Sequence, residues 1–114
     1  MPSAPLQVSV ARNEDVTIVT MRGDADLAAA DVLSNALLPI AASRPAYVMV
    51  DLAGLTFISS LGIGQLVSLR RGLAAHGGKV TIAAPQPRVM QALKHAQVES
   101  LFEIVAESPH DAVA

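Results

Sequence analysis

Two adjacent hydroxyls, Ser59 and Ser60, are the side chains of this sequence best placed to do chemistry. They follow a β-rich apolar run, Val48-Met49-Val50, that ends in Asp51 and a small-residue turn, and they precede a pattern of helical period. A hydroxyl where a helix begins can cap it, its oxygen accepting a bond from an otherwise unpaired backbone N–H. It can also take a phosphoryl group, whose charge and acceptor oxygens suit a helix N-terminus. As a nucleophile it would need a base beside it, and the sequence offers none in register. The Gly-x-Ser-x-Gly elbow is absent, and His76, His95 and His110 fall at a helix end, in a late helix and in the tail. A small serine hydrolase is therefore a remote alternative, and no enzyme is expected. The histidines also lack metal-ligand spacing. Gly62-Ile63-Gly64 is not followed by the Gly-Lys-Ser/Thr of a phosphate-binding loop, so neither a metal nor a cofactor is expected.

The elements that must hold these serines can be read in order. Residues 1–5 carry two prolines and read as a disordered leader. Leu6–Val10 alternates as a half-buried strand, Arg12-Asn13-Glu14-Asp15 is a polar turn, and Val16–Met21 is a second strand ended by Gly23. Asp26 caps a helix expected over 27–42, with Leu27, Leu33, Leu37, Leu38 and Ile40 as its buried side and Pro39 kinking or ending it. Ala46–Leu52 is apolar on both faces, as a central strand should be. After Ser60, Ile63, Leu66, Leu69 and Leu73 cluster on one face of a helix, while Leu61 projects about 140° away, onto the polar side. Gly77-Gly78 ends that helix, Lys79–Ala84 is a strand, and Pro87 opens a helix ending near His95. A last short strand falls within 98–105, and residues 107–114 read as a flexible tail.

The resulting order, β-β-α-β-α-β-α-β, predicts one α/β domain over residues 6–106 with a mixed, mostly parallel sheet of about five strands. Composition agrees. A chain of 114 residues supports one core, and with only three aromatic residues that core is built from Val, Leu, Ile and Ala. The absence of cysteine removes disulfides and thiolate chemistry and fits a cytoplasmic protein. No apolar run reaches the roughly 18–20 residues needed to span a bilayer, so no membrane insertion is expected. A net charge of −2 with dispersed Lys and Arg argues against direct binding of nucleic acid.

Gly23-Asp24-Ala25-Asp26, Val50-Asp51-Leu52, Phe57-Ile58-Ser59-Ser60-Leu61-Gly62-Ile63-Gly64 and Glu99-Ser100-Leu101-Phe102-Glu103-Ile104 together resemble the STAS-domain family over nearly the whole chain. Its best-known members are bacterial anti-sigma factor antagonists. The resemblance implies that the chain binds a kinase-type anti-sigma factor while unphosphorylated, is released by serine phosphorylation, and is reset by a serine phosphatase. Ser60 falls on the phosphoacceptor position. Ser59 stands where the family usually has Asp, which leaves Ser59 as an alternative acceptor, and Leu61 stands where Ser or Thr is usual. The implied partner-binding residues are Asp24, Asp26, Ser59, Ser60, Leu61, Gly62 and Gly64. Gly62 and Gly64 keep the first turn slim at a helix-propensity cost of roughly 1 kcal/mol each. The alternative within the same family is a docking or scaffold module, in a sensory complex or on a lipid-type ABC transporter, that works without phosphorylation.

Overall fold

The computed structural model describes residues 4–109. The first hairpin joins β1 (Gln7–Asn13) to β2 (Val16–Ala25) in antiparallel register, Asn13 opposite Val16. The turn is only Glu14-Asp15, with Glu14 at φ 52°, so Arg12 and Asn13 belong to the strand rather than to the expected four-residue turn. An edge strand exposes most of its side chains, and polar residues there do not signal a break. Gly23 does not end β2 either. At φ 89° it shapes an irregularity through which the strand continues to Ala25. Residues 4 and 5, expected to be a disordered leader, lie against β2 at this point. The Asp24 N–H donates to the Ala4 carbonyl at 3.0 Å, and a Cβ on Gly23 would collide with the Pro5 carbonyl oxygen. Residues 1–3 lie outside the described residues.

A 3-10 turn over Leu27–Ala29 leads into α1 (Ala30–Ala42). Asp26 caps it, its Oδ1 accepting from the Ala29 N–H at 3.0 Å. Leu33, Leu37 and Ile40 are buried, whereas Leu27 and Leu38, expected beside them, are 68% and 64% exposed. Leu38 sits five residues from Leu33, well off the stripe, and the tighter opening turn rotates Leu27 away from the core. Pro39 lies inside the last turn, and the helix runs three residues beyond it.

The largest departure from expectation is β3, which runs from Tyr47 to Ile58 instead of stopping at Leu52. Ala53-Gly54 is no turn. Thr20 pairs with Asp51 but Arg22 with Gly54, and Gly23 pairs with Leu55 but Asp24 with Phe57. Each shift inserts one extra residue in β3, a bulge that breaks the alternation by which a strand is recognised. Glycine suits such a place because a neighbour comes close; a Cβ on Gly54 would lie 2.9 Å from Arg22 Cγ.

α2 (Ser60–Ala74) ends before Gly77, at φ 77°, and is followed by β4 (Lys79–Ala83), α3 (Pro87–His95), a 3-10 turn over Glu99–Leu101 and β5 (Glu103–Val105). The sheet order is β1-β2-β3-β4-β5, parallel from β2 onward. Sequential parallel strands joined by right-handed crossovers place all three helices on one face. Val48 and Val50 belong to the core beneath them, with Leu33, Leu66 and Leu93. The alternate residues of β3 carry polar links, Tyr47 Oη to Thr81 Oγ1 at 2.7 Å and Asp51 Oδ2 accepting from Ser108 Oγ at 2.7 Å. Ser108, inside the expected tail, is thus buried against the sheet, while residues 110–114, with His110 and Asp111, lie outside the described residues.

Candidate functional site

The extension of β3 carries the serines to the same end of the sheet as the loop after β2. Asp24 pairs with Phe57 and Ala25 with Ile58, and the Ser59 N–H then donates to the Ala25 carbonyl at 2.8 Å. Ser59 is therefore fixed to β2 in an extended conformation, φ −81° and ψ 167°, at the N-cap of α2. Its carbonyl accepts from the Ile63 N–H at 2.9 Å, and its Oγ accepts from the Gly62 N–H at 3.2 Å. With 9% of its surface exposed, Ser59 spends its hydroxyl on the helix. Ser60 is the first helical residue, is exposed, and makes no side-chain hydrogen bond to another described residue. Adjacent in sequence, the two hydroxyls differ in access.

Asp24 and Asp26 reach the same region, each with part of its carboxylate engaged. The single hydroxyl proton of Thr56 is shared between Asp24 Oδ1 and the Gly23 carbonyl, tying β3 to the irregular end of β2. Asp26 caps the 3-10 turn and lines a shallow depression with Leu27, Phe57, Ser59 and Ser60. Asp24 is not among the residues lining it. Two of the residues lining this depression are exposed apolar side chains, Leu27 and Phe57 at 37%, and Leu61, next to Ser60 in the chain, is 46% exposed. Leu61 occupies the polar face, as its helical projection places it. Leu27 and Phe57 were not identified from the sequence as site residues. The 3-10 turn hides the first, and the bulges of β3 hide the second.

The two glycines differ. Gly62 is buried, and a Cβ there would meet Ile58 Cγ1 at 3.0 Å and the Ala25 carbonyl at 3.5 Å, so its lack of a side chain lets α2 pack on the strand ends. Gly64 is exposed with nothing within 4 Å of a built Cβ, so no neighbour within the chain requires glycine there. His76 and His95 are exposed. Among the described residues, no three His, Cys, Asp or Glu side chains could hold a metal ion, and no helix is long and apolar enough to cross a membrane.

Comparison with known proteins gives the same architecture. The family model described as STAS domain matches residues 7–112. An anti-sigma factor antagonist from Mycobacterium paratuberculosis superposes with a TM-score of 0.84 at 23% identity, covering 98% of this chain and 96% of that one. The Bacillus cell fate determinant SpoIIAA in its phosphorylated form superposes at 0.70 with 15% identity, covering 95% of this chain and 96% of that one. The murine anion transporter Slc26a9 contains a similar unit, TM-score 0.69 at 23% identity, matched by 87% of this chain and only 17% of the transporter. No curated protein sequence matches.

Proposed function

Because the chain belongs to the STAS-domain family, we propose that it is an anti-sigma factor antagonist which docks onto a kinase-type anti-sigma factor and is released when that kinase phosphorylates Ser60. The observation that carries this reading is the division of labour between the serines. Ser59 is buried and holds the helix, while Ser60 is presented to solvent among exposed apolar side chains. Phosphate on Ser60 would add about −1.5 to −2 charges beside Asp26, at the N-terminus of α2, where it is tolerated by the fold. A docked partner would face that charge across Leu27, Phe57 and Leu61, and would lose affinity through repulsion and desolvation. A serine phosphatase would return the chain to its binding form.

The test is tandem mass spectrometry after incubation with the cognate kinase, which is expected to place phosphate on Ser60. Ser60→Asp is expected to lose partner binding with an unchanged circular dichroism spectrum. Phosphate on Ser59 alone, or on neither serine, overturns the assignment. The second reading, a docking module without a phosphorylation cycle, has support in the transporter-borne unit of the same fold. Unphosphorylated protein throughout, with equal partner affinity for wild type and Ser60→Asp, would favour it.

A further inference from the structure

Phe57 and Ile58 form a ridge between two depressions. Asp26 and Ser60 line one. The other is a groove between the end of β3 and α3, lined by Phe57, Ile58, Arg88, Gln91, Ala92 and His95. It exists because β4 stops pairing at Ala83, opposite Asp51, while β3 runs seven residues further with β2 on one side and α3 near the other.

Two features mark this groove. Arg88 stands in the first turn of α3, where the positive end of the helix dipole disfavours a cation, and no acidic residue shares that turn. Its guanidinium carbon lies 5.9 Å from the centroid of the Phe57 ring, and Phe57 is itself left partly exposed beneath it. A guanidinium over an aromatic face keeps N–H donors available for a planar acceptor. Among the described residues no carboxylate lines the groove, and Gln91 and His95 add polar atoms along its wall.

We infer that this groove receives an acidic side chain of the same partner that covers Ser60, with Arg88 as the charged anchor and Phe57 as the apolar floor. The inference rests on the proposed function and adds the chemistry of the partner. Charge complementarity selects the occupant. The ridge divides Asp26 from Arg88 and His95, so a matching surface carries a cation on one side and a carboxylate on the other. Phosphate on Ser60 alters only the first half, so release acts through Ser60 while Arg88 sets orientation and the speed of encounter.

The test titrates purified kinase-type anti-sigma factors, from the genome that encodes this chain, against wild type, Arg88→Glu, Arg88→Gln, Arg88→Lys and Ser60→Asp at two salt concentrations. Circular dichroism checks folding, and the neutral Arg88→Gln keeps the test readable should the reversed charge not fold. Arg88→Glu is expected to weaken binding roughly tenfold or more and to flatten its salt dependence, Arg88→Gln less so, with Arg88→Lys retaining part of the affinity. Wild-type affinity in Arg88→Glu, with Ser60→Asp released, overturns the acidic subsite and leaves the proposed function standing. Equal losses in Arg88→Lys and Arg88→Glu with unchanged salt dependence also overturn it, since charge would then not be what is read. Failure of every such kinase to bind wild type overturns both.

Discussion

Ser59 and Ser60 stand in opposite environments one residue apart. Ser59 turns its oxygen inward to the Gly62 N–H, as a cap must, whereas Ser60 is exposed, as the proposed phosphorylation requires. Ser59→Ala is therefore expected to destabilise the protein by about 1 kcal/mol, read by urea denaturation, and to leave Ser60 open to phosphorylation. Gly64 allows a cleaner separation of stability from binding. Because its Cβ position is empty space, Gly64→Ala should raise stability by up to about 1 kcal/mol through helix propensity. The same methyl should weaken partner binding if the slim first turn serves close approach; unchanged affinity would remove Gly64 from the docking surface.

At the scale of elements, the site depends on how β2 and β3 stay paired through two register shifts. Gly23 is where that arrangement is most sensitive, since a substituted residue would need φ 89° and would meet the adjacent backbone of residues 4 and 5. Gly23→Ala is expected to lower stability by about 1–3 kcal/mol, measured as a shift in the thermal or urea midpoint. A fall below a few tenths of that would mean the N-terminal residues simply move aside. The helices were largely legible in the sequence, because apolar spacing of three and four residues survives to the end of α2 and α3. The strand ends were not. A bulge cancels the two-residue alternation, and Gly54, which reads as a turn, is instead the small residue that lets Arg22 lie close.

Taken whole, the molecule has a radius of gyration of 13.0 Å, close to the ~13 Å expected for one domain of this length. The three helices share one face of the sheet, and on the other the chain returns after β5 to place Ser108 on Asp51. Both residues are buried, so Ser108→Ala should cost about 1–3 kcal/mol of stability by removing a partner from a buried carboxyl group. Asp51 lies seven strand residues from Ile58, or about 23 Å along β3, so the same substitution should leave the affinity for a partner at Ser60 unchanged. Isothermal titration beside urea denaturation would separate the two effects, and a loss of affinity would show that the middle of β3 is coupled to its C-terminal end.

The amino-acid sequence by itself determined the order of elements, the parallel character of the sheet and the serine pair at a helix start, because these rest on local periodicity and capping chemistry. It carried the STAS pattern as far as Ser60 on the phosphoacceptor position with Ser59 as the alternative, and said nothing of how exposed either hydroxyl is. The tertiary structure decided between their environments. Pairing of Ala25 with Ile58 turns Ser59 under the helix and leaves Ser60 outside, a consequence of strand register across residues far apart in the chain. Packing of α3 against β3 likewise brings Arg88 over Phe57, thirty-one positions away, and forms a groove on the other side of Phe57 and Ile58 from Ser60.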